Sequence, residues 1–518
     1  MYGVNFQDSK EWVQTLNSLP LLESLYFGDN NLTTIPTSII GLNFTSLKTL
    51  PIDGNEFNSR IPDWIGQLTT LTTLELLSCS FVGQIPSQLD NLTSLNFLAL
   101  GEHYLKGPMP SLHNLKNLTE LYIWNVNIGE DIRMVVNKLP NDTLDKLEIF
   151  WLLNTSLIGN LTGWVSKMPN LKELVLSYNN LNGMLPTTIG NLTSLETLCL
   201  NKNNFTGEVS EAHLTGLSNL KWLILGPNYL NLTMNMNLIP PFQVEYLFLP
   251  NCKLGPYFPL WLQNQSQIIR IVLSNTEIAE MVPHWFWNLQ SLSFIDLSYN
   301  HMRGGLPLSM EHLTNLNVLF FNNNLFEGGI PHLPQSIEYV DLSNNLFSGN
   351  IPHCFPNALV VVNMAHNNLS GAISSSIGNL NLLRILKLNN NSLKGQLPLE
   401  LKFCQHLIVL DLGENKFEGQ IPKWIGENLR NLTFLRLRSN LFSGTIPIQL
   451  VKLQYLQILD LSDNKIFGMI PQDMGFLSSM AFLDGNSDNS AYGDFVRLHS
   501  LNNVFNTVPE VKPAKQRV

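Results

Sequence analysis

LQILDLSDNKIFGMIP, Leu456 to Pro471, holds the pattern that the rest of the chain repeats: L-x-x-L-x-L-x-x-N-x-L/F-x-G-x-I/L-P. LIVLDLGENKFEGQIP, Leu407 to Pro422, is a second clean copy. Working back from Asn464, the register position recurs at 440, 415, 391, 367, 345, 324, 300, 276, 252, 228, 203, 179, 155, 126, 103, 79, 55 and 30. These nineteen marks, mostly 24 residues apart, predict one stacked α/β solenoid, because no rung of that length buries its apolar face alone. The repeat covers 1–475, beginning mid-rung, and 476–518 reads as a non-repeat tail.

Each part of the pattern has a physical job. In L-x-L the leucines enter the core and the residues around them face out of a short strand. Neighbouring strands ~4.8 Å apart form a parallel sheet on the concave face, so nineteen rungs give a strip on the order of 90 Å long. The buried Asn amide satisfies backbone groups of its turn and of the neighbouring rung. Thirteen marks keep Asn; Cys79, His103, Val126, Thr155, Cys252 and Thr276 depart from it. Glycine permits a tight backbone path, and Pro, lacking an N–H, suits an edge. The interval from 126 to 155 is five residues longer than the standard, and its Asn141-Asp142-Thr143 reads as a surface loop. The intervals ending at 345 and 367 are short, which trims the convex side.

Composition narrows the function class. The net charge is −10 and charged residues make up 14% of the chain, against the usual ~25%. No basic stripe suited to nucleic acid is present. No apolar run approaches the ~20 residues of a membrane span, and the first residues show no apolar signal-peptide core. The five cysteines lack metal-ligand spacing and read as unpaired structural thiols. No phosphate-binding, kinase, zinc-protease or serine-hydrolase motif occurs, so the chain reads as a binder with no cofactor and no metal.

L-x-G-x-I-P resembles the plant extracellular class of leucine-rich repeats, which implies a second strand per rung and a superhelical twist. A more specific stretch runs from Ile239 to Leu289, with P-P-F-Q, C-x-L-G-P-x-F-P-x-W-L and L-S-N-T-x-I…W-F-W. It resembles the plant leucine-rich-repeat receptor-like proteins of the xylanase-elicitor-receptor and scab-resistance type. LRLRSNLFSGTIP, from Leu435, is similar to the same class. The resemblance covers about residues 1 to 480. It implies an extracellular region at the plasma membrane, a protein or peptide ligand on the concave face, co-receptor and adaptor kinases as partners, and a role in defence or development. Against that layout the chain reads as truncated at both ends, with an apolar edge at Leu16, Leu19 and Leu22 and a tail like the start of the family's island segment. Two rival readings are a secreted wall-protein inhibitor of the polygalacturonase-inhibitor type, for which nineteen rungs are too many, and the ectodomain of a receptor kinase.

Three sets of candidate residues follow. Sequons stand at Asn31, Asn43, Asn91, Asn117, Asn141, Asn154, Asn160, Asn191, Asn204, Asn231, Asn264, Asn368, Asn390 and Asn431, fourteen against about nine expected from composition. At the outward centre of the strands the middle third is apolar and aromatic, with Tyr122, Trp151, Ile224, Phe248 and Phe320, and Trp124 beside them. These either face a ligand or are covered by their neighbours. Arg436 and Arg438 flank Leu437, so both point outward ~7 Å apart. They either capture a carboxylate, as the outward R-x-R of related peptide receptors implies, or form a ladder with Asp411 and Asp460 on adjacent rungs.

Overall fold

The computed structural model describes residues 3–6, 11–235 and 239–481; most of the expected tail, from 482 on, lies outside the described residues. The chain divides into two compact units, one reaching to Lys253 and one starting at Leu254. The first holds ten parallel strands, from Phe27–Gly28 and Thr49–Asp53 to Tyr246–Phe248. The second holds nine, from Arg270–Val272 to Ile458–Asp460. Every register mark therefore follows one strand. Pairing is in register, with Leu74 beside Leu50 and Leu98, so the inward leucines stack into an apolar column.

The register Asn works as expected. The Oδ1 of Asn300 accepts from the N–H groups of Thr276 (3.0 Å) and Ile278 (3.1 Å), and its Nδ2 donates to the carbonyls of Leu273 (2.7 Å) and Leu297 (3.0 Å). Asn179, Asn203, Asn324, Asn345 and Asn415 repeat this arrangement. The departures improvise. Thr276 donates its hydroxyl to Leu273 (2.8 Å), and Cys79 its thiol to Leu77 (3.0 Å). His103 reproduces both amide functions: Nδ1 accepts from Cys79 N–H at 3.4 Å, while Nε2 donates to the Leu76 carbonyl at 3.0 Å.

The second strand implied by the plant-type motif is present, and glycine decides where. It forms wherever Gly stands four residues after the register mark, as in Lys416–Gln420 or Leu441–Gly444. Gly419 has φ +89°, a region that side chains rarely enter. No such strand follows the marks whose fourth residue is Thr34, Ser59, Glu130, Pro256 or Glu280; Leu232, inside Tyr229–Leu232, is the exception. These strands pair in parallel within each unit.

Two expectations need correction. Asn141-Asp142-Thr143 is no loop: the longer interval folds as the helices Ile132–Val136 and Asn141–Leu144. Asp131 caps the first by accepting from Arg133 N–H (2.8 Å), and Ile132, Val135 and Val136 are buried at helical spacing. At the other place, only Leu19 of the expected apolar edge is exposed; Leu16 and Leu22 are half-buried, and Trp12 packs at a tilt against Phe27 with ring centres 4.5 Å apart. The short rungs before 345 and 367 do join their strands without a helical turn.

Candidate functional site

Alternation gives each strand three outward positions, and the structure ranks them by access. The central row is covered. Tyr122, Trp151, Ile224, Phe248 and Phe320 lie on the strand face, yet none is more than 6% exposed. Large side chains at the spacing of adjacent strands shield one another. Phe97, Tyr122 and Trp151 form a run with ring centres 5.3 and 5.0 Å apart, and Phe294 meets Phe320 edge-on at 5.9 Å. Their polar ends are engaged: Tyr122 Oη donates to Glu120 (3.1 Å) and Trp151 Nε1 to Glu173 (3.0 Å). These five residues thus form the floor of the face; the expected exposed aromatic patch is not there.

The accessible groups stand on either side of that row. Trp124 is half-buried and lies flat over Gly101 of the preceding strand, where a Cβ would come 2.2 Å from the indole ring. Glycine at 101 is what makes room for it. Trp222 and Tyr246, on neighbouring strands, stack at 3.9 Å and are both half-buried. Glu120 and Glu173 are half-buried beside the aromatic run. Sequence reasoning took the central outward position and the one after it, at Trp124 and Arg438, and so passed over Trp222, Tyr246 and the two glutamates. The signal that could have found them is their place just before an inward leucine.

At the charged end, Arg436 sits in register between Asp411 and Asp460. Its guanidinium is 3.4 Å from Asp411, 2.5 Å from Glu414 and 3.9 Å from Asp460. Arg438 lies 3.7 Å from Asp460 and is the more exposed of the two arginines. The geometry builds the cross-strand ladder. Burial pushes the Asp411 carboxyl up, against the Gly413 N–H and Arg436. For Asp460 burial acts the same way but is outweighed by hydrogen bonds from Ser462 and by both guanidinium groups, which hold it below the usual carboxylate range. Burial likewise lowers Lys387.

The cysteines are free thiols; Cys79, Cys199, Cys252 and Cys404 are buried and Cys354 is exposed. Burial pushes Cys79 and Cys252 up to about 12, far from a reactive thiolate. Among the described residues no cluster of His, Cys, Asp or Glu could hold a metal ion, and no helix is long and apolar enough to cross a membrane. The sequon asparagines are all accessible; Asn160 and Asn231 are half-buried and the others exposed. Asn43, Asn91, Asn117, Asn191, Asn264 and Asn431 precede strands, whereas Asn31, Asn154, Asn204, Asn368 and Asn390 follow them, which places the two groups on opposite edges of the strand sheets.

Comparison with known proteins agrees with this architecture. Residues 7–203 match the family model described as a leucine-rich repeat region, and 336–358, 358–380, 406–428 and 455–477 match the single Leucine Rich Repeat. The receptor-like protein EIX1 of Solanum lycopersicum is 50% identical over 60 residues, 12% of this chain and 6% of that protein. The chain spans between 6% and 14% of the length of the curated relatives it matches. Among solved structures, the ectodomain of the Arabidopsis receptor kinase HAESA, in complex with an N-terminally extended IDA peptide hormone, is 31% identical with a TM-score of 0.74, covering 88% of this chain and 76% of that one. HAESA with IDA and the co-receptor SERK1 gives 31% identity and a TM-score of 0.69 over the same shares.

Proposed function

Because the chain belongs to the leucine-rich-repeat receptor proteins of plants, we propose that it is the extracellular ligand-binding region of a plasma-membrane receptor-like protein in defence or development signalling. It binds a protein or peptide on its strand face and relies on partner kinases, a co-receptor and an adaptor, for the signal. The observation that carries this reading is the likeness, over 88% of the chain, to an ectodomain solved with a peptide hormone. Trp124 and the Trp222–Tyr246 stack supply accessible aromatic anchors, and Glu120 and Glu173 supply charge for a basic group of the ligand. Arg436 is engaged by three carboxylates of the chain itself, so carboxylate capture falls to Arg438.

A random peptide library displayed on phage, selected on the full chain, provides the probe. Trp124→Ser and Trp222→Ser are expected to weaken the recovered peptides about ten-fold or more, as loss of an aromatic anchor does, with the melting temperature unchanged. Trp151→Ser is the contrasting variant, because its floor position makes it destabilising. Recovered peptides that bind both tryptophan variants as tightly as the parent would sink the proposal. The HAESA likeness also supports a second reading, the ectodomain of a receptor kinase; the coding sequence downstream of Val518 separates the two.

A further inference from the structure

A groove of about 780 Å³ opens on the strand-entry edge of the second unit, within the range of roughly 300–1,000 Å³ typical of ligand clefts. Its lining includes Val360, Arg384, Ile408, Asn431, Thr433 and Tyr455. Val360, Arg384, Ile408, Thr433 and Gln457 are one row, each joined to the next by a backbone hydrogen bond of 2.8–2.9 Å. In the first unit, where Asn117 is the register-equivalent sequon and Asn91 and Asn191 stand three residues earlier in their rungs, the same row reads Thr72, Asn96, Thr119, Glu148, Lys172, Glu196 and Lys221. There, Glu148 pairs with Lys172 and Glu196 with Lys221, a solvated charged edge. Beside Asn431 the row sets the apolar Val360 and Ile408 among Arg384, Thr433 and Gln457 and is hollow, and Tyr455 stands 61% exposed at the groove. This apolar floor continues into the buried Val361, Ile385 and Val409.

We propose that Asn431 carries an N-linked glycan whose first sugars lie in this groove and cover Ile408 and Val360, with Tyr455 against a sugar face. Both residues that define the sequon, Asn431 and Thr433, line the groove, so the attachment point is already inside it. Asn431 Nδ2 donates one hydrogen to the Gln405 carbonyl at 2.9 Å. Its second hydrogen is the one replaced. The amide nitrogen bonds to the anomeric carbon of an N-acetylglucosamine, the bond from that carbon to a lipid diphosphate breaks, the diphosphate leaves with the electron pair, and the amide proton passes to the transferase's base. The Gln405 hydrogen bond survives. Asn117 is tethered in the same way to Thr93 (3.1 Å) but lies in a row flanked by Asn96 and Glu148 in place of apolar residues, and serves as the control. An N-acetylglucosamine suits the lining, since its methyl and ring C–H faces meet Ile408 and Tyr455 while its hydroxyls reach Gln457 and Ser479.

This inference rests on the extracellular reading above, and the test separates the two. The full chain is directed through the secretory pathway of cultured mammalian cells, then treated with a glycan amidase, native and denatured, with occupancy read site by site by mass. Asn431 is expected to be occupied and, in the native protein, released about ten-fold more slowly than Asn117 and Asn191, because the linkage must open before the enzyme reaches it. Denaturation abolishes the difference, and Tyr455→Ala narrows it. Native release at the Asn117 rate, or an empty Asn431 beside occupied Asn117 and Asn191, overturns the groove-bound glycan alone. If none of the fourteen sequons is occupied, this inference and the extracellular reading fall together.

Discussion

Asn300→Leu will destabilise the second unit by about 3–5 kcal/mol, although leucine is close to asparagine in size and the site is 5% exposed. The cost is in what the carboxamide leaves behind. The N–H groups of Thr276 and Ile278 lose their acceptor, the carbonyls of Leu273 and Leu297 lose a donor, and none can reach water. A buried donor left open costs about 1–3 kcal/mol, and two open at once. Repeat arrays do not unfold in one step, so the measurement is amide exchange at Thr276 and Ile278. A loss of about 4 kcal/mol appears there as roughly 10³-fold faster exchange. The exposed Asn180→Leu is the control and should stay within about 0.5 kcal/mol. Exchange less than ten-fold faster at the two amides would show that the ladder is decoration.

The second expectation concerns acid. Burial lowers His103 from 6.5 to about 4, and its neutral ring is what the rung requires, with Nδ1 as acceptor and Nε2–H as donor. Protonation puts a second N–H against that of Cys79. The unfolded chain holds this proton more tightly than the folded one. The contribution of His103 is therefore complete above 6.5 and is lost as pH falls from 6.5 through about 4. The whole loss is about 3 kcal/mol at one unit per 1.36 kcal/mol. His103→Asn keeps an acceptor and a donor but cannot titrate, so the variant should lose less stability than the parent between pH 7 and pH 4. Exchange at the Cys79 amide reads the difference directly. An identical acid response in parent and variant would remove His103 from the account.

Much of this architecture is legible in the residues. The period alone places nineteen strands, because only an inward Leu every second residue and a turn amide every 24 or so satisfy both core and backbone. The covering of the strand face is not legible in the same way. Alternation says that Tyr122 and Trp151 point out of the sheet; it does not say that their neighbours at the same height close over them. The helical insertion was visible in Ile132, Val135 and Val136, spaced as one helix face, but the turn-forming Asn141-Asp142 beside them drew the opposite reading. One recurrent feature had no signature. The residue before the register position takes positive φ in rung after rung, as Tyr178, Lys202, Tyr299, His366 and Glu414. Side chains so different share no pattern that a sequence could announce; the turn imposes the conformation through the hydrogen bonds on either side of it.

The register amide also has a direction. Asn203 reaches back to Leu181 N–H, 22 residues earlier, and Asn415 to Leu393 N–H across the same interval. Within either unit, a rung is completed by the one that follows it. A ribosome delivers residues in that same order, so each nascent rung keeps its interior donors open until its successor has emerged. Closure then trails synthesis by one period along the whole unit. A pause in translation exposes one unfinished edge at a time, whatever the length already made.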